Sequence, residues 1–247
     1  MSEQNGHQPD RVDGVLSIKN LTAGYGKVPV VEGVNMTAHA GQVTVLVGLN
    51  GAGKSTLLKA IAGVIKSSSG QVILDGADVS GKVPEALLRC GIAYVPQVAN
   101  VFPSLTVHEN LKMGGYILRS GLQEKVDEVC ELFPDLKSAL KRKAKTLSGG
   151  QRHMLAVARG LMVKPLALLL DEPTAGLSPK FEEALWERVL AIKATGTALV
   201  VVDQNVRRAL GHADWGYVMA LGRNLASGPG KDLVQSDEVG NLYAATT

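Results

Sequence analysis

Aromatic side chains are scarce. Phe, Trp and Tyr together make up 4% of the 247 residues, too few for a base-stacking RNA surface or a carbohydrate platform. Cysteine occurs only at Cys90 and Cys130, with no C-x-x-C spacing. That excludes a disulfide framework, disfavours structural zinc and fits a reducing compartment. Neither sign of charge dominates: 26 Lys+Arg face 23 Asp+Glu, a net +3, which carries no electrostatic footprint for nucleic acid. The strongest apolar runs, 166–170 and 198–202, fall far short of the roughly 20 residues a membrane span needs. Residues 1–14 are polar and lack the apolar stretch of a secretion signal; they are expected to form a flexible tail, and the chain to be cytoplasmic. The five histidines are scattered without metal-ligand spacing and are expected in surface or loop positions. Met113, Met154 and Met162 are expected to pack rather than to bind a cofactor.

What the chain does have is glycine, 28 residues where an average chain of this length carries about 17. Its hydrophobic share of 45% suits one large domain, or one domain carrying a smaller lobe. β-like segments lie at 15–22, 30–38, 42–47 and 71–74, the first two joined through the turn-prone Gly24-Tyr25-Gly26. A helical stretch runs from Lys54 towards residue 64. Helical spacing dominates 83–162, with a capping-box pattern at Thr106–Glu109 and apolar Val126, Val129, Cys130 and Phe133 at i, i+3, i+4, i+7. Strands return at 166–170 and 198–202. Between them Ser178 and Pro179 open a helix whose core face is Leu185, Val189 and Ile192. Strands alternating with helices predict a parallel sheet covered on both faces, with a helical lobe inserted at about 91–147.

Gly48-Leu49-Asn50-Gly51-Ala52-Gly53-Lys54-Ser55 matches G-x-x-x-x-G-K-[ST] between a strand and a helix, the context that gives this motif its meaning. Glycines let successive backbone N–H groups point inward at the positive end of a helix dipole, making an anion nest. Gly48, Asn50, Gly51, Ala52, Gly53, Lys54, Ser55 and Thr56 are therefore expected to cradle a nucleotide's phosphates. Lys54 would reach the β- and γ-phosphates, and Ser55 would place its hydroxyl on Mg²⁺. Downstream, the strand 166–170 ends in Asp171-Glu172, at the edge where open α/β sheets bind ligands. Asp171 is expected in the Mg²⁺ shell and Glu172 as the general base for an attacking water. Leu147-Ser148-Gly149-Gly150-Gln151 forms a second nest at a helix start. Two nests on one chain predict a two-fold dimer in which each faces the partner's phosphate loop.

With these motifs in this order, 15–243 resembles the ATP-binding subunits of ABC transporters. The resemblance implies a P-loop NTPase fold: a RecA-like parallel-sheet α/β core, an N-terminal antiparallel β subdomain and an inserted α-helical subdomain, together spanning 15–247. It implies ATP hydrolysis with ATP and Mg²⁺, transmembrane permease subunits and a second, identical or homologous ATPase subunit as partners, and a solute-binding protein acting indirectly. The implied location is peripheral, on the inner face of the cell membrane, with no nucleic acid bound. It also implies that Tyr25 stacks on adenine and that Gln97, in Tyr94-Val95-Pro96-Gln97, touches Mg²⁺ and links the site to the helical lobe. Ser148, Gly149, Gly150 and Gln151 would meet the γ-phosphate across the dimer.

Two positions depart from the family's usual form. Ser178 stands in place of an aspartate, and Gln204, in Asp203-Gln204-Asn205-Val206, in place of a γ-phosphate-contacting histidine. Glutamine donates a hydrogen bond but carries no positive charge. The Gln204 departure, Leu21–Gly26, Thr174–Pro179 and Phe102–Val107 are similar to the second ATPase subunit of branched-chain amino-acid importers and their urea and amide relatives. A lipopolysaccharide-export ATPase and a soluble ABC scaffold protein are the alternatives.

Overall fold

Three strands carry almost no exposed side chain. β3 (Val43–Gly48), β7 (Ala167–Asp171) and β8 (Ala198–Val202) are buried at every position, as continuous apolar strands are when both faces of a parallel sheet are covered. The computed structural model describes residues 15–236 and 239–240, apart from 27 and 99; the tail expected at 1–14 lies outside the described residues. In chain order the remaining elements are β1 (Leu16–Tyr25), β2 (Val28–Ala38), α1 (Lys54–Ile61), β4 (Ser67–Leu74), β5 (Ala77–Asp78), α2 (Pro84–Cys90) and β6 (Ile92–Val95). There follow α3 (Val107–Gly114), α4 (Leu122–Leu132), α5 (Pro134–Ser138), α6 (Gly149–Leu161), α7 (Pro179–Lys193), α8 (Val206–His212), β9 (Trp215–Ala220), β10 (Arg223–Pro229) and α9 (Gly230–Val234).

The core sheet has the order β10-β9-β3-β8-β7-β6, and the second sheet, wholly antiparallel, the order β2-β1-β4-β5. In the core sheet β9, β3, β8, β7 and β6 run parallel, and β10 turns back antiparallel on β9. Period-two alternation then divides the core. Val43, Val45 and Val47, Leu168 and Leu170, and Leu199 and Val201 pack with the helices α3 to α8. Leu46, Leu169, Val200 and Val202 pack with α1 and the antiparallel sheet. Asp171, two residues beyond Leu169, thus falls on the α1 side.

Two findings differ from the sequence reading. The helical stretch expected over 83–162 contains β6, a strand of the core sheet, so the helices specific to the lobe begin at α3. Four residues between helical flanks are too few for alternation to register. The parallel sheet is also not purely parallel, because the β9–β10 hairpin closes one edge. The capping box at Thr106 and Glu109 is formed, and Val126, Val129, Cys130 and Phe133 are buried together. Ser178 occupies the N-cap position of α7 without a side-chain cap bond, and Trp186 joins the expected core residues on that helix. Met154 and Met162 are buried, whereas Met113 is exposed.

The two sheets meet at a specific bond: the Thr37 N–H donates to the buried Tyr217 hydroxyl at 3.0 Å. Tyr217→Phe removes that acceptor and leaves the Thr37 N–H short of a partner. The expected cost is about 1 kcal/mol, read as a lower urea midpoint with an unchanged slope.

Candidate functional site

Four neighbouring strands, β3, β8, β7 and β6, deliver their carboxyl ends to one edge of the core sheet, the edge at which open α/β sheets hold ligands. β3 feeds the glycine loop, β7 ends at Asp171-Glu172, β8 leads to Gln204 and β6 to Gln97. In the loop, Gly53 sits at φ 97° as the N-cap of α1, and a Cβ there would lie 2.7 Å from Val31. At Gly48 a Cβ would strike the Met219 carbonyl oxygen at 2.3 Å. No other residue type meets both demands. The Ala52 N–H donates to the Leu49 carbonyl, and the Ala52 carbonyl accepts from the Gly222 N–H in the β9–β10 turn, so the edge hairpin braces the cradle.

Lys54 is 5% exposed and donates to the carbonyls of Gly48 at 2.7 Å and Leu49 at 3.0 Å. Burial holds its pKa below the usual lysine value, against the pull of the Glu172, Asp171 and Asp203 carboxylates. Ser55 Oγ donates to Asp171 Oδ1 at 2.7 Å. A hydroxyl and a carboxylate brought together at the foot of a phosphate-type nest form a hard oxygen set of the kind that suits Mg²⁺. Glu172 has φ 49°, a left-handed conformation that costs a non-glycine residue about 1–3 kcal/mol. Its N–H donates to the Val202 carbonyl, which fixes the turn. Its Oε2 accepts from Gln97 Nε2 at 2.6 Å and Gln204 Nε2 at 2.5 Å. A cavity of about 150 Å³ joins Glu172 to Asn50, Gly51, Gly53, Lys54, Ser55 and Thr56.

Tyr25 stands at the β1–β2 hairpin tip, 55% exposed, beside a hollow of about 860 Å³ that Pro29, Ile65 and Lys66 also line. Ser148, Gly149, Gly150 and Gln151 open α6, where Ser148 and Gln151 form a capping box. Among the described residues they make no hydrogen bond to the glycine loop. Gly150 instead lies against Phe181, which a Cβ would strike at 2.4 Å.

Three residues escaped the sequence reading. The Tyr94 hydroxyl donates to Asp171 Oδ2 at 3.0 Å; only the β6–β7 register could have signalled it. Buried Asp203 accepts from Thr174 Oγ1 at 2.6 Å and from the Asn205 N–H, tying the loop after Glu172 to the loop that holds Gln204. His153, expected on the surface, is partly buried in α6, and its ring donates to the Pro173 carbonyl. Burial lowers its pKa.

Comparison with known proteins follows the same outline. The ABC transporter family model matches residues 31–175. The probable branched-chain amino acid transport ATP-binding protein LivF of Archaeoglobus fulgidus is 40% identical, over 92% of this chain and 98% of that protein. The high-affinity branched-chain amino acid transport ATP-binding protein BraG of Pseudomonas aeruginosa is 38% identical, over 93% and 99%. Among solved structures, the ADP conformation of an ABC transporter's ATP-binding cassette superposes with a TM-score of 0.85 at 29% identity, covering 93% of this chain and 98% of that one.

Desolvation raises the Asp203 pKa, outweighing its hydrogen bonds from Thr174, Asn205 and Gln204. A carboxyl whose folded pKa exceeds its unfolded value costs stability as pH rises from about 3.8 through the folded value. Asp203→Asn lacks this cost, so melting curves should move in the variant's favour, relative to the parent, as pH increases above about 4. A constant difference would assign Asp203 no net desolvation penalty.

Proposed function

The chain belongs to the ABC transporter family and is an ATPase of that class, and from this premise we propose that it powers import of branched-chain or related amino acids. It would act as one of two cassettes closed around two ATP–Mg²⁺. One observation carries the site assignment: Ser55 meets Asp171 while Gln97 and Gln204 converge on Glu172, all beside the glycine loop. The likeness to LivF and BraG over nearly their full lengths supports the choice of solute.

In this reading, backbone N–H groups from Asn50 to Thr56 and the α1 N-terminus bind the β- and γ-phosphates, and Lys54 turns from the Gly48 and Leu49 carbonyls to meet them. Ser55, Asp171 and Gln97 would hold Mg²⁺, which when bound neutralises phosphate charge. Tyr25 stacks on adenine. Glu172 takes the proton of the attacking water. With Oε2 held by two amides, Oε1 faces no competing donor among the described residues and is left for that water. The held oxygen also fixes the carboxylate plane, so the base meets the nucleophile in a set direction.

Gln204 donates to Glu172 and can equally donate to a γ-phosphate oxygen, which makes it an orienting group with no acid function. Ser148, Gly149, Gly150 and Gln151 complete the partner cassette's site. The exposure of Ser148 and Gly149, and the separation of all four from their own glycine loop, support this division. ATP then binds the two cassettes together, and hydrolysis removes the shared γ-phosphate contacts so that they part. Among the described residues no helix is long and apolar enough to cross a membrane. The solute path therefore belongs to permease subunits, reached through Gln97 and the helical lobe, with the ATPase held peripherally on the cytoplasmic face.

Glu172→Gln should retain ATP binding, lower hydrolysis by about 10²-fold or more, and elute as a dimer in ATP by size-exclusion chromatography. Parental turnover in that variant would remove Glu172 from the base role. Gln204→Ala should lower kcat about tenfold, one lost hydrogen bond to a charged group being worth roughly 1.5 kcal/mol, and Gln204→His should restore most of it. Expression with the neighbouring permease and solute-binding protein, followed by vesicle uptake of leucine, tests the solute. ATP-driven lipopolysaccharide extraction, or co-purification with soluble proteins alone, would replace the import reading by one of its alternatives.

A further inference from the structure

Asp171 is 4% exposed, and both of its carboxylate oxygens are engaged by residues from different elements. Oδ1 accepts from Ser55 on α1 and Oδ2 from the phenol of Tyr94 on β6. The second contact follows from sheet geometry. β6 and β7 are parallel, with Tyr94 opposite Leu169, and Asp171 lies two residues further along the same face. The tyrosine ring, packed against the apolar residues of the α1 side, therefore reaches diagonally along the sheet to the carboxylate. A terminal carboxylate torsion is broad and roughly two-fold when left alone. Two donors on opposite oxygens set it.

We propose that Tyr94 is a positioning residue for the divalent-cation shell, holding Asp171 Oδ2 so that Oδ1 stays turned towards Ser55. The proposal rests on the assignment of Ser55 and Asp171 to Mg²⁺. Groups that hydrogen-bond a ligating carboxylate typically change metal affinity by 10- to 100-fold when removed. Burial, and then the neighbouring Asp171 carboxylate, push the phenol well above its usual pKa, so it remains a donor throughout the neutral range. The same short strand runs into Gln97, whose amide holds Glu172. One edge strand therefore grips both acids: Asp171 through Tyr94, and Glu172 through a loop residue three positions later. A shift of β6 relative to β7 would disturb the cation shell and the base together.

The test measures Mn²⁺ binding to the full chain in the presence of ADP, counting free Mn²⁺ by electron paramagnetic resonance. It compares the parent, Tyr94→Phe and Asp171→Asn. A fluorescent ADP analogue in excess EDTA reports nucleotide affinity without metal, and a melting curve reports folding. Tyr94→Phe should weaken Mn²⁺ binding about tenfold while metal-free nucleotide affinity and melting temperature stay near parental values. Asp171→Asn should weaken Mn²⁺ binding further. Parental Mn²⁺ affinity in Tyr94→Phe, with loss in Asp171→Asn, overturns the role of Tyr94 alone. Parental affinity in both variants overturns the assignment of Asp171 to the cation and the proposal with it. Equal weakening of metal-free nucleotide binding and Mn²⁺ binding in Tyr94→Phe would reduce the tyrosine to a structural contact and also overturn the proposal.

Discussion

The contact between Ser55 and Asp171, 2.7 Å long across 116 positions of sequence, is the constraint on which the site depends. It requires the first turn of α1 to lie over the end of β7, two strands away from β3 in the sheet. That in turn requires β8 to lie between them, fully apolar on both faces. Replace β8 by a half-exposed strand and the sheet could not be covered on both sides, so α1 would lose the surface that supports it. The apolar ladder of Leu168–Leu170 and Leu199–Val201 is thus part of the chemistry, although none of its atoms faces the crevice.

Glu172 shows how tertiary structure sustains a local penalty. Its left-handed backbone is unfavourable by itself, yet the N–H bond to the Val202 carbonyl and the buried Asp203–Thr174 contact hold the turn from the neighbouring β8 loop. The conformation places consecutive acids in different directions. Asp171 turns back towards α1 and Ser55, while Glu172 turns out to Gln97 and Gln204. Two carboxylates adjacent in sequence are thereby separated into two environments, one beside a hydroxyl and a phenol and one held by two amides.

Much of this was legible in the sequence because it rests on local chemistry. The glycine loop, the acidic strand end and the capping box at Thr106 are short patterns whose geometry the backbone enforces. β3, β7 and β8 could be read from apolar runs bounded by turn residues. β6 could not: Ile92-Ala93-Tyr94-Val95 is too short to show a period, and its strand state is dictated by β7 alongside it. The β9–β10 hairpin was missed for a similar reason, since its pairing with β3 joins residues more than 160 positions apart. Tyr94 and Asp203 were invisible as site residues because their roles exist only through register and burial. Ser178 shows the reverse limit: its position as N-cap was readable, but its hydroxyl makes no cap bond.

Gln204 is where sequence and geometry together say more than either alone. As a substitution for histidine it could be taken as a loss, since the amide has no charge and no titration in the neutral range. Its Nε2 nevertheless sits 2.5 Å from the same carboxylate oxygen that Gln97 holds. Two neutral donors from different elements meet on that one oxygen and fix the direction of the Glu172 carboxylate. A histidine at the same place could carry a positive charge, whereas the glutamine amide offers only a hydrogen bond. A glutamine therefore suits a site in which direction, rather than charge, is what Glu172 receives from its neighbours. The positive charge beside the glycine loop is that of Lys54, buried and held by the Gly48 and Leu49 carbonyls.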